Sequence, residues 1–337
     1  MTGAPRRMRV DEVMRERFTP GVAVLLFLTD RCPVGCAHCS VDSRRDSPTI
    51  TDYDKFAQLV EGICADPASQ LVGISGGEPF VERRGLTIAM HRLAEAGKDI
   101  VLYTSGVWAR AGEQPAWIRE LLPLASCVML STDGFHQKTM DETRFVAAAR
   151  AIADAGVPVI VQVLDTPDQV EEAERLLTTA FGSGWPEQAD LSLITPLPYG
   201  RGADLFARPP AQPGRTVGAC KLLSAPVVRY DGRISACCNE PVIMGRGPER
   251  LRETAADAEQ TRAVLDSIRS DALLGAIATV GAGAVTAHPD FEALADTEVH
   301  GLCDLCWRLQ DASKDRLGSR DDLLLTLMPM VTGASAR

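Results

Sequence analysis

Short apolar runs alternate with helical periods of apolar residues from about residue 20 to about residue 205. Residues 22–28 form a continuous apolar run of strand length, and apolar residues then recur at helical spacing at Phe56, Leu59, Val60 and Ile63. Further runs predict strands at 71–74, 100–103, 127–130, 157–164 and 191–194, each followed or preceded by a helical stretch. Six β-α units in alternation predict a parallel α/β sheet with crossover helices, in a full or partial barrel. An open doubly wound sheet is the alternative.

The pattern changes near residue 196, where a segment rich in proline and glycine extends to residue 214. It predicts a boundary between a larger domain over 20–205 and a smaller one over 206–310, with an N-terminal extension over 1–19 and a tail over 311–337. In the smaller domain, Asp231 and Gly232 lie between two β-rich runs and predict a hairpin. Helices are predicted at 249–256, 259–274 and 309–328, and a loop is predicted at 275–287.

The overall charge limits the class of partner. The chain has 337 residues and a formal net charge of −10, so it has no broad electrostatic attraction for nucleic acid or for an anionic membrane surface. Charged residues crowd the first 17 positions, where a secretory signal would have its apolar core, and residues 22–28 are too few to span a bilayer. We therefore expect a cytoplasmic protein with neither nucleic acid nor membrane as a partner.

The chain has ten cysteines. Because the cytosol keeps thiols reduced, a disulfide framework is not expected, and metal binding is the default interpretation of spaced cysteines. Two groups account for most of them: Cys32, Cys36 and Cys39 in the first, and Cys220, Cys237, Cys303 and Cys306 in the second.

The first group directly follows the first predicted strand, at the end where barrel enzymes build their sites. Three thiolates at these spacings can hold one corner of a cuboidal iron–sulfur cluster and leave its fourth iron without a protein ligand. An open iron can chelate a substrate or a cofactor. The alternative is a zinc site, which needs a fourth ligand, and His38 is too close in sequence to supply it comfortably.

This three-cysteine spacing after strand one resembles the radical SAM superfamily, in which an often aromatic residue precedes the last cysteine; His38 has that position here. One β-α unit later, a second run is similar to the GGEP motif of that family, namely Ser75, Gly76, Gly77, Glu78 and Pro79. The resemblance implies a partial (β/α)6 TIM-like barrel whose open iron binds the amino and carboxylate groups of S-adenosylmethionine. It also implies that the GGEP motif contacts the methionine amino group, with Glu78 accepting from the ammonium, and that electron transfer yields a 5′-deoxyadenosyl radical.

Polar residues follow the third and fourth strands, where members of this family commonly contact the ribose of the cofactor. Ser105, Ser131 and Asp133 have these positions, and loop capping is the alternative role for each. Arg201 and His136 are weaker candidates for contacts with a substrate, and for Arg201 the alternative is a solvated arginine of the linker.

The second cysteine group, Cys220, Cys237, Cys303 and Cys306, resembles the shortened SPASM domain called twitch. In that domain a β-hairpin and a later CxxC hold one auxiliary 4Fe–4S cluster, and Cys303 and Cys306 have the CxxC spacing. The resemblance implies a fully ligated second cluster that transfers electrons. No cysteine follows Cys306, so a third cluster is not expected. A structural zinc site with four cysteines is the alternative.

Cys238 is adjacent to the expected ligand Cys237. A buried small apolar residue is one interpretation. The other is a catalytic hydrogen-atom donor, because a thiol can quench a carbon radical, and radical SAM epimerases of the twitch type are thought to use such a cysteine. Neighbouring strand residues point to opposite faces, so the sequence leaves open whether Cys238 faces the substrate.

Three functions fit this resemblance. The first is hydrogen abstraction from a ribosomally made peptide, giving an epimer, a thioether or a carbon–carbon crosslink. It would use a flavodoxin- or ferredoxin-type electron donor and, because few residues precede the first strand, a separate leader-peptide-binding protein. The second is oxidation or epimerisation of a small molecule, as in aminoglycoside-type alcohol dehydrogenases. The third is cofactor biosynthesis of the molybdopterin type, which is disfavoured because residues 332–337 lack the paired glycines of that enzyme. A non-catalytic iron–sulfur or zinc scaffold is the alternative of another class, which the GGEP-like motif disfavours.

Overall fold

The structure, a computed structural model, describes residues 5–313 together with Leu323 and Leu327. None of the helices in this part combines the length and apolar character needed to cross a membrane. The strands are β1 (Ala23–Phe27), β2 (Leu71–Ser75), β3 (Asp99–Thr104), β4 (Cys127–Ser131), β5 (Val159–Leu164), β6 (Ala189–Ile194), β7 (Gln212–Pro213), β8 (Val227–Arg229), β9 (Arg233–Ser235), β10 (Arg252–Thr254) and β11 (Glu298–Val299). The helices are α1 (Val10–Arg17), α2 (Tyr53–Ala65), α3 (Arg83–Glu95), α4 (Ala116–Leu121), α5 (Gly134–Gln137), α6 (Glu142–Asp154), α7 (Pro167–Phe181), α8 (Glu240–Ile243), α9 (Ala258–Ser270), α10 (Ala272–Thr279), α11 (Ala282–Val285) and α12 (Leu302–Ala312).

Strands β1 to β6 lie side by side in chain order, each parallel to the next. A doubly wound sheet would reverse its strand order at a switch point, and these six strands have no such reversal. In the described residues no ladder joins β6 back to β1, so the barrel is open on one side. The predicted partial barrel is therefore confirmed, and the doubly wound alternative is wrong.

The two faces of the sheet carry different apolar clusters. The outer face, which includes Leu26, Ile74 and Leu102, packs against α2, α3, α6 and α7 in the largest core of the protein. The inner face contributes a smaller cluster, which includes Leu71 and Met129. Because residues alternate between faces along a strand, the fully buried runs in these strands supply both clusters at once.

Helix α1 closes the barrel at the end where the strands begin. Met8 and Val13 are buried in the inner cluster, and the amide of Met8 donates to the carbonyl of Ser126, just before β4. Arg9 forms an ion pair of 2.6 Å with Asp190 at the start of β6. The sequence predicts an N-terminal extension over residues 1–19, whereas in the structure α1 is the floor of the barrel.

The hairpin predicted around Asp231 and Gly232 is present as β8 and β9, and it joins the barrel sheet. Strand β8 pairs in parallel with β1, so that Leu25 faces Val227, and β9 and β10 extend the same sheet outwards. The sheet thus continues across the predicted domain boundary. The first cysteine group follows β1, and Cys237 follows β9. Because β9 pairs with β8 and β8 pairs with β1, both cysteine groups are attached to the same sheet.

Two predictions in the C-terminal part are wrong. The segment 249–256 was expected to be helical, but residues 252–254 form β10, because pairing with β9 satisfies their backbone groups. The expected loop at 275–287 contains the end of α10 and all of α11, whose alanines and glycines pack closely against other backbone. The helix expected at 309–328 is α12 as far as Ala312; the rest lies outside the described residues, apart from Leu323 and Leu327.

A buried ion pair ties β8 to the start of the first cysteine loop. Arg229 is 3% exposed, and its guanidinium donates to both carboxylate oxygens of Asp30, at 3.0 and 2.8 Å. The hydroxyl of Tyr230 donates to the same carboxylate at 2.8 Å. Asp30 is two residues before Cys32, so this pair fixes where the cysteine loop leaves the sheet.

Replacement of Arg229 with alanine should lower the free energy of unfolding by about 3–5 kcal/mol, because it leaves the Asp30 charge buried without its partner. Chemical denaturation of the apoprotein measures this loss. Arg233→Ala is the matched control, since its guanidinium is 3.8 Å from Asp231 and more exposed, and it should cost less than about 1 kcal/mol. Equal losses in the two variants would show that the buried ion pair contributes no more to the free energy of unfolding than the exposed pair does.

Candidate functional site

A cavity of about 240 Å³ lies at the end of the barrel where the parallel strands finish. Cys32, Cys36 and Cys39 line one side of it, on the loop after β1. The other predicted residues that line it are His38, Gly76, Gly77, Ser105, Ser131 and Asp133. The structure therefore brings the first cysteine group and most of the predicted cofactor contacts around one space, as the shared edge of a parallel barrel would do.

The cysteine loop is held from outside by Arg201, a role that sequence reasoning missed. The Arg201 guanidinium donates twice to the carbonyl of Cys36, at 3.0 and 2.7 Å, and once to the Asp42 carboxylate at 2.6 Å. Its own amide donates to the carbonyl of Cys39 at 3.0 Å. Arg201 is neither a free linker residue nor a lining residue of the cavity. Its hydrogen bonds fix the position of the backbone carbonyls of Cys36 and Cys39.

The two glycines of the GGEP-like motif allow the loop after β2 to touch the segment before Cys32. The Gly77 amide donates to the Thr29 carbonyl at 2.6 Å. A Cβ on Gly77 would come within 2.3 Å of the Arg31 carbonyl oxygen, and Gly76 has a φ of +136°, which favours glycine. The glycines are thus required for contact between the two loops. Pro79 is buried at the start of a short 3₁₀ turn and does not line the cavity.

Glu78 links the loops after β2 and β3. Its side chain is fully buried, and its carboxylate accepts from the amide and hydroxyl of Ser105, at 2.8 and 2.5 Å, and from the Thr104 hydroxyl at 2.8 Å. Burial raises the pKa of Glu78, and these hydrogen bonds oppose the rise. Because its oxygens accept from residues at the end of β3, Glu78 joins the loops after β2 and β3. Its expected contact with the methionine amino group stays a prediction.

Asp133 organises two histidines beside Cys36. Its carboxylate caps α5, accepting from the amide of His136 at 2.9 Å, and lies 3.1 Å from Nε2 of His38 and 2.9 Å from Nδ1 of His136. Burial opposes ionisation of Asp133, but the two imidazoles beside its carboxylate hold its pKa well below the usual value. His38 stacks on Phe135 with ring centroids 4.7 Å apart. The carboxylate expected near a ribose is therefore already engaged by these rings.

The second cysteine group also comes together, in the C-terminal part. Cys220 precedes a short 3₁₀ turn, Cys237 follows β9, and Cys303 and Cys306 lie one turn apart on α12. Burial raises the pKa of Cys237 well above its usual value, and the neighbouring thiols Cys306 and Cys220 raise it further. The side-chain amide of Asn239 donates to the sulfur of Cys303 at 3.4 Å.

The spacing of the sulfurs tests which group each set can hold. In a tetrahedral zinc site with Zn–S bonds near 2.3 Å, the sulfurs are about 3.8 Å apart. Within the described residues, the one set of three or more such donor atoms within 4.8 Å of one another is Cys36, His38 and His136. Neither group of cysteines contains three sulfurs that all lie within 4.8 Å of one another. Hydrogen bonds to sulfur, such as that from the Ser43 amide to Cys39 at 3.4 Å, are also typical of iron–sulfur ligands.

Cys237 and Cys238 point to opposite sides. Cys237 is buried with Val242 in an apolar cluster of the C-terminal part. Cys238 packs against Phe27 of β1 and lines a second cavity, of about 310 Å³, inside the barrel. Ser75, Gly76 and Tyr103 line both this cavity and the one at the first cysteine group, so the two spaces are adjacent. The question that the sequence left open is answered: Cys238 faces the barrel interior.

The family model for the radical SAM superfamily matches residues 26–180. Two curated proteins are similar in sequence. PqqA peptide cyclase of Rhizobium meliloti (strain 1021) is 26% identical over 179 residues, which cover 49% of this chain and 45% of that protein. Putative peptide biosynthesis protein YydG of Bacillus subtilis (strain 168) is 28% identical over 85 residues, which cover 25% of this chain and 27% of that protein. The match thus spans less than half the length of either relative.

Two solved structures share the fold. The structure of Streptococcus suis SuiB bound to S-adenosylmethionine superposes with a TM-score of 0.50 at 13% identity, over 80% of this chain and 71% of that one. Native anSMEcpe with bound AdoMet gives 0.51 at 12% identity, over 93% of this chain and 100% of that one. Identities this low establish similarity of fold alone. The family match and the cysteine loop after β1 lead to one assignment: residues 26–180 form a radical SAM domain.

Proposed function

We propose that this chain is a radical SAM enzyme that removes a hydrogen atom from one residue of a peptide and returns a hydrogen atom from Cys238 to the opposite face, which inverts the residue. The observation that carries this proposal is the position of Cys238 in the barrel cavity of about 310 Å³, next to the cavity at the first cysteine group. A thiol on the far side of the substrate from the abstracting radical is what inversion of a carbon requires.

The names of the similar proteins support a peptide as the substrate. One is a peptide cyclase, one is a putative peptide biosynthesis protein, and SuiB has also been crystallised with its precursor peptide SuiA. By analogy, this chain would act on a ribosomally made peptide, receive electrons from a flavodoxin- or ferredoxin-type donor, and depend on a separate protein to bind the leader part of the peptide. A cytoplasmic location follows from that supply of electrons.

In this proposal Cys32, Cys36 and Cys39 hold a catalytic 4Fe–4S cluster, and His38, Gly76, Gly77 and Ser131 surround the S-adenosylmethionine. When bound, the cluster and S-adenosylmethionine together would supply the 5′-deoxyadenosyl radical that abstracts hydrogen. The residues of the chain do the rest: Arg201 holds the backbone of Cys36, and Glu78 and Ser105 keep the loops after β2 and β3 together. Asp133 orients His38 and His136 beside Cys36.

Cys220, Cys237, Cys303 and Cys306 hold an auxiliary 4Fe–4S cluster in this proposal. No three of their sulfurs lie within 4.8 Å of one another, which supports a cluster over a single zinc ion. Four protein ligands leave no open iron, which suits electron transfer and not substrate binding. The competing outcome is oxidative: the substrate radical loses an electron and becomes a ketone, a thioether or a crosslink.

The reaction in deuterated water separates the two outcomes. The reconstituted enzyme would be reduced with dithionite and incubated with S-adenosylmethionine and any short peptide that a neighbouring gene encodes. Inversion through a thiol should place one deuterium on the modified residue with no loss of mass, because the thiol proton exchanges with solvent. A product two mass units lighter, without deuterium, would replace this proposal with the oxidative one.

A further inference from the structure

Strand β6 is the edge strand on the open side of the barrel. It pairs with β5, and within the described residues no strand pairs with its other side. The amide of Asp165 donates to the carbonyl of Ile194 at 2.9 Å, so the backbone groups of Ile194 face β5. Because these groups alternate in direction along a strand, the amides and carbonyls of Leu191 and Leu193 face away from β5.

These four backbone groups are the open edge of β6. In the part of the chain that the structure describes, no other segment hydrogen bonds to them. Each is therefore left to solvent, although backbone amides and carbonyls are strong hydrogen-bonding groups. An edge of this kind can accept one more strand.

The side chains of β6 do little to prevent such pairing. Strand edges that face solvent usually carry charges, proline or a bulge. The one charged residue of β6 is Asp190, which is engaged by the guanidinium of Arg9 and the amide of Val10. Leu193 is 50% exposed, the most of any large apolar side chain in the described residues. An exposed apolar edge is typical of a site that binds another extended chain.

The open edge leads into the candidate site. Ile194, the last residue of β6, and Leu197 line both the cavity at the first cysteine group and the cavity that Cys238 lines. An extended chain advances by about 3.3 Å per residue, so a chain paired with Leu193 would reach Leu197 about four residues later. The described residues of the C-terminal tail, Leu323 and Leu327, pack in the C-terminal cluster and do not cover β6.

We propose that an extended segment of the peptide substrate pairs with the open edge of β6 through its backbone, and that the adjoining residues of the peptide enter the cavities beside Ile194 and Leu197. This inference rests on the proposed function, since it takes the substrate to be a peptide. Backbone pairing suits a reaction at a backbone carbon, because it positions the main chain whatever the side chains are. An apolar peptide side chain is expected beside Leu193.

The first test changes the peptide and leaves the enzyme intact. The probe is the peptide that wild-type enzyme modifies in the deuterated-water experiment, synthesised with a fluorescein label and with one N-methyl group at each position in turn. Its binding to the reconstituted, unreduced enzyme with S-adenosylmethionine is measured by fluorescence anisotropy. N-methylation should weaken binding about fivefold at two positions that are two residues apart, where a peptide amide donates to the carbonyl of Leu191 or Leu193. The position between them should bind within about twofold of the unmethylated peptide.

The second test changes the edge. Leu193→Pro removes an amide that faces away from β5 and keeps the ladder with β5, as proline does on edge strands. It should weaken binding of the unmethylated peptide about fivefold, while cleavage of S-adenosylmethionine without peptide continues at the wild-type rate. Leu193→Ala is the matched control, because it keeps the amide, and it should bind more tightly than Leu193→Pro and retain the two-residue period of the N-methyl series. If Leu193→Pro does not fold, the N-methyl series alone decides.

Three results would overturn this inference. The first is an N-methyl series without the two-residue period, and the second is equal binding by wild type and Leu193→Pro. The third is a wild-type dimer in light scattering that Leu193→Pro converts to a monomer, which would assign the edge to a second copy of the chain. If wild type modifies no peptide at all, the proposed function fails and this inference with it. Normal modification without any effect at β6 rejects the inference alone.

Discussion

Replacement of Cys238 with alanine should abolish formation of the inverted residue, while 5′-deoxyadenosine continues to form. Apart from the three cysteines of the first group, Cys238 is the one cysteine among the described residues that lines either barrel cavity. Without its sulfur, the substrate radical has no hydrogen donor on the opposite face. Chromatography of hydrolysed peptide after chiral derivatisation would measure the inverted residue, and the same samples would give the yield of 5′-deoxyadenosine.

Cys64→Ala is the matched control for this experiment. Cys64 is a half-buried cysteine that packs against the outer core, away from both cavities, so its loss should leave inversion unchanged. Two results would contradict the donor role of Cys238. One is an inverted product from Cys238→Ala in wild-type yield, and the other is an oxidised product that both enzymes make equally well.

Simultaneous replacement of Cys32, Cys36 and Cys39 with alanine should remove about half of the bound iron and all cleavage of S-adenosylmethionine. Two clusters of four irons give about eight iron and eight sulfide per chain in the reconstituted wild type. The second cysteine group lies in the C-terminal part, with Cys220 and Cys306 in one apolar cluster and Cys237 in another, and should retain its share, about four of each. Iron and sulfide assays, with electron paramagnetic resonance of the reduced protein, measure both quantities.

The reciprocal control is Cys303→Ala with Cys306→Ala, which removes the two of the four expected ligands that lie on α12. This double variant should lose the other half of the iron and keep the signal of the first cluster. Stoichiometric zinc with little iron in the wild-type protein would reject both cluster assignments, and with them the proposed chemistry.

The barrel was predictable because its elements depend on local patterns. The apolar periods at Phe56 and Ile63 and the glycines that end α3 and α6 act within a few residues, and Gly97 and Gly156 do adopt a positive φ after these helices. The C-terminal part was harder, because its small residues serve tertiary contacts. A Cβ on Gly283 would come within 2.5 Å of the Arg215 carbonyl oxygen, so a sequence typical of a loop is here a tightly packed helix.

The residues of the candidate site also fall into those that a local sequence pattern reveals and those that depend on contacts between distant parts of the chain. The cysteines and the glycines of the GGEP-like motif were found because they are close in sequence and their spacing carries the chemistry. The role of Arg201 depends on a contact with Cys36, 165 residues away, and that of Arg229 on a contact with Asp30, 199 residues away. No local pattern encodes such distances. The direction of Cys238 was ambiguous for a similar reason, since only the packing of β8 and β9 on the barrel decides it.

Because β8 pairs directly with β1, the relative position of the two cysteine groups does not depend on the residues that lie between these strands in sequence. Leu25 is hydrogen bonded beside Val227, although most of the barrel lies between them in sequence. Insertions in the helices or loops of the barrel can therefore accumulate without changing how Cys238 is presented to the catalytic cavity. A chimaera could exchange the hairpin and α12 as a unit if it kept the residues of β8 that pair with β1. Such an exchange would let the same barrel acquire a different final step for its substrate radical.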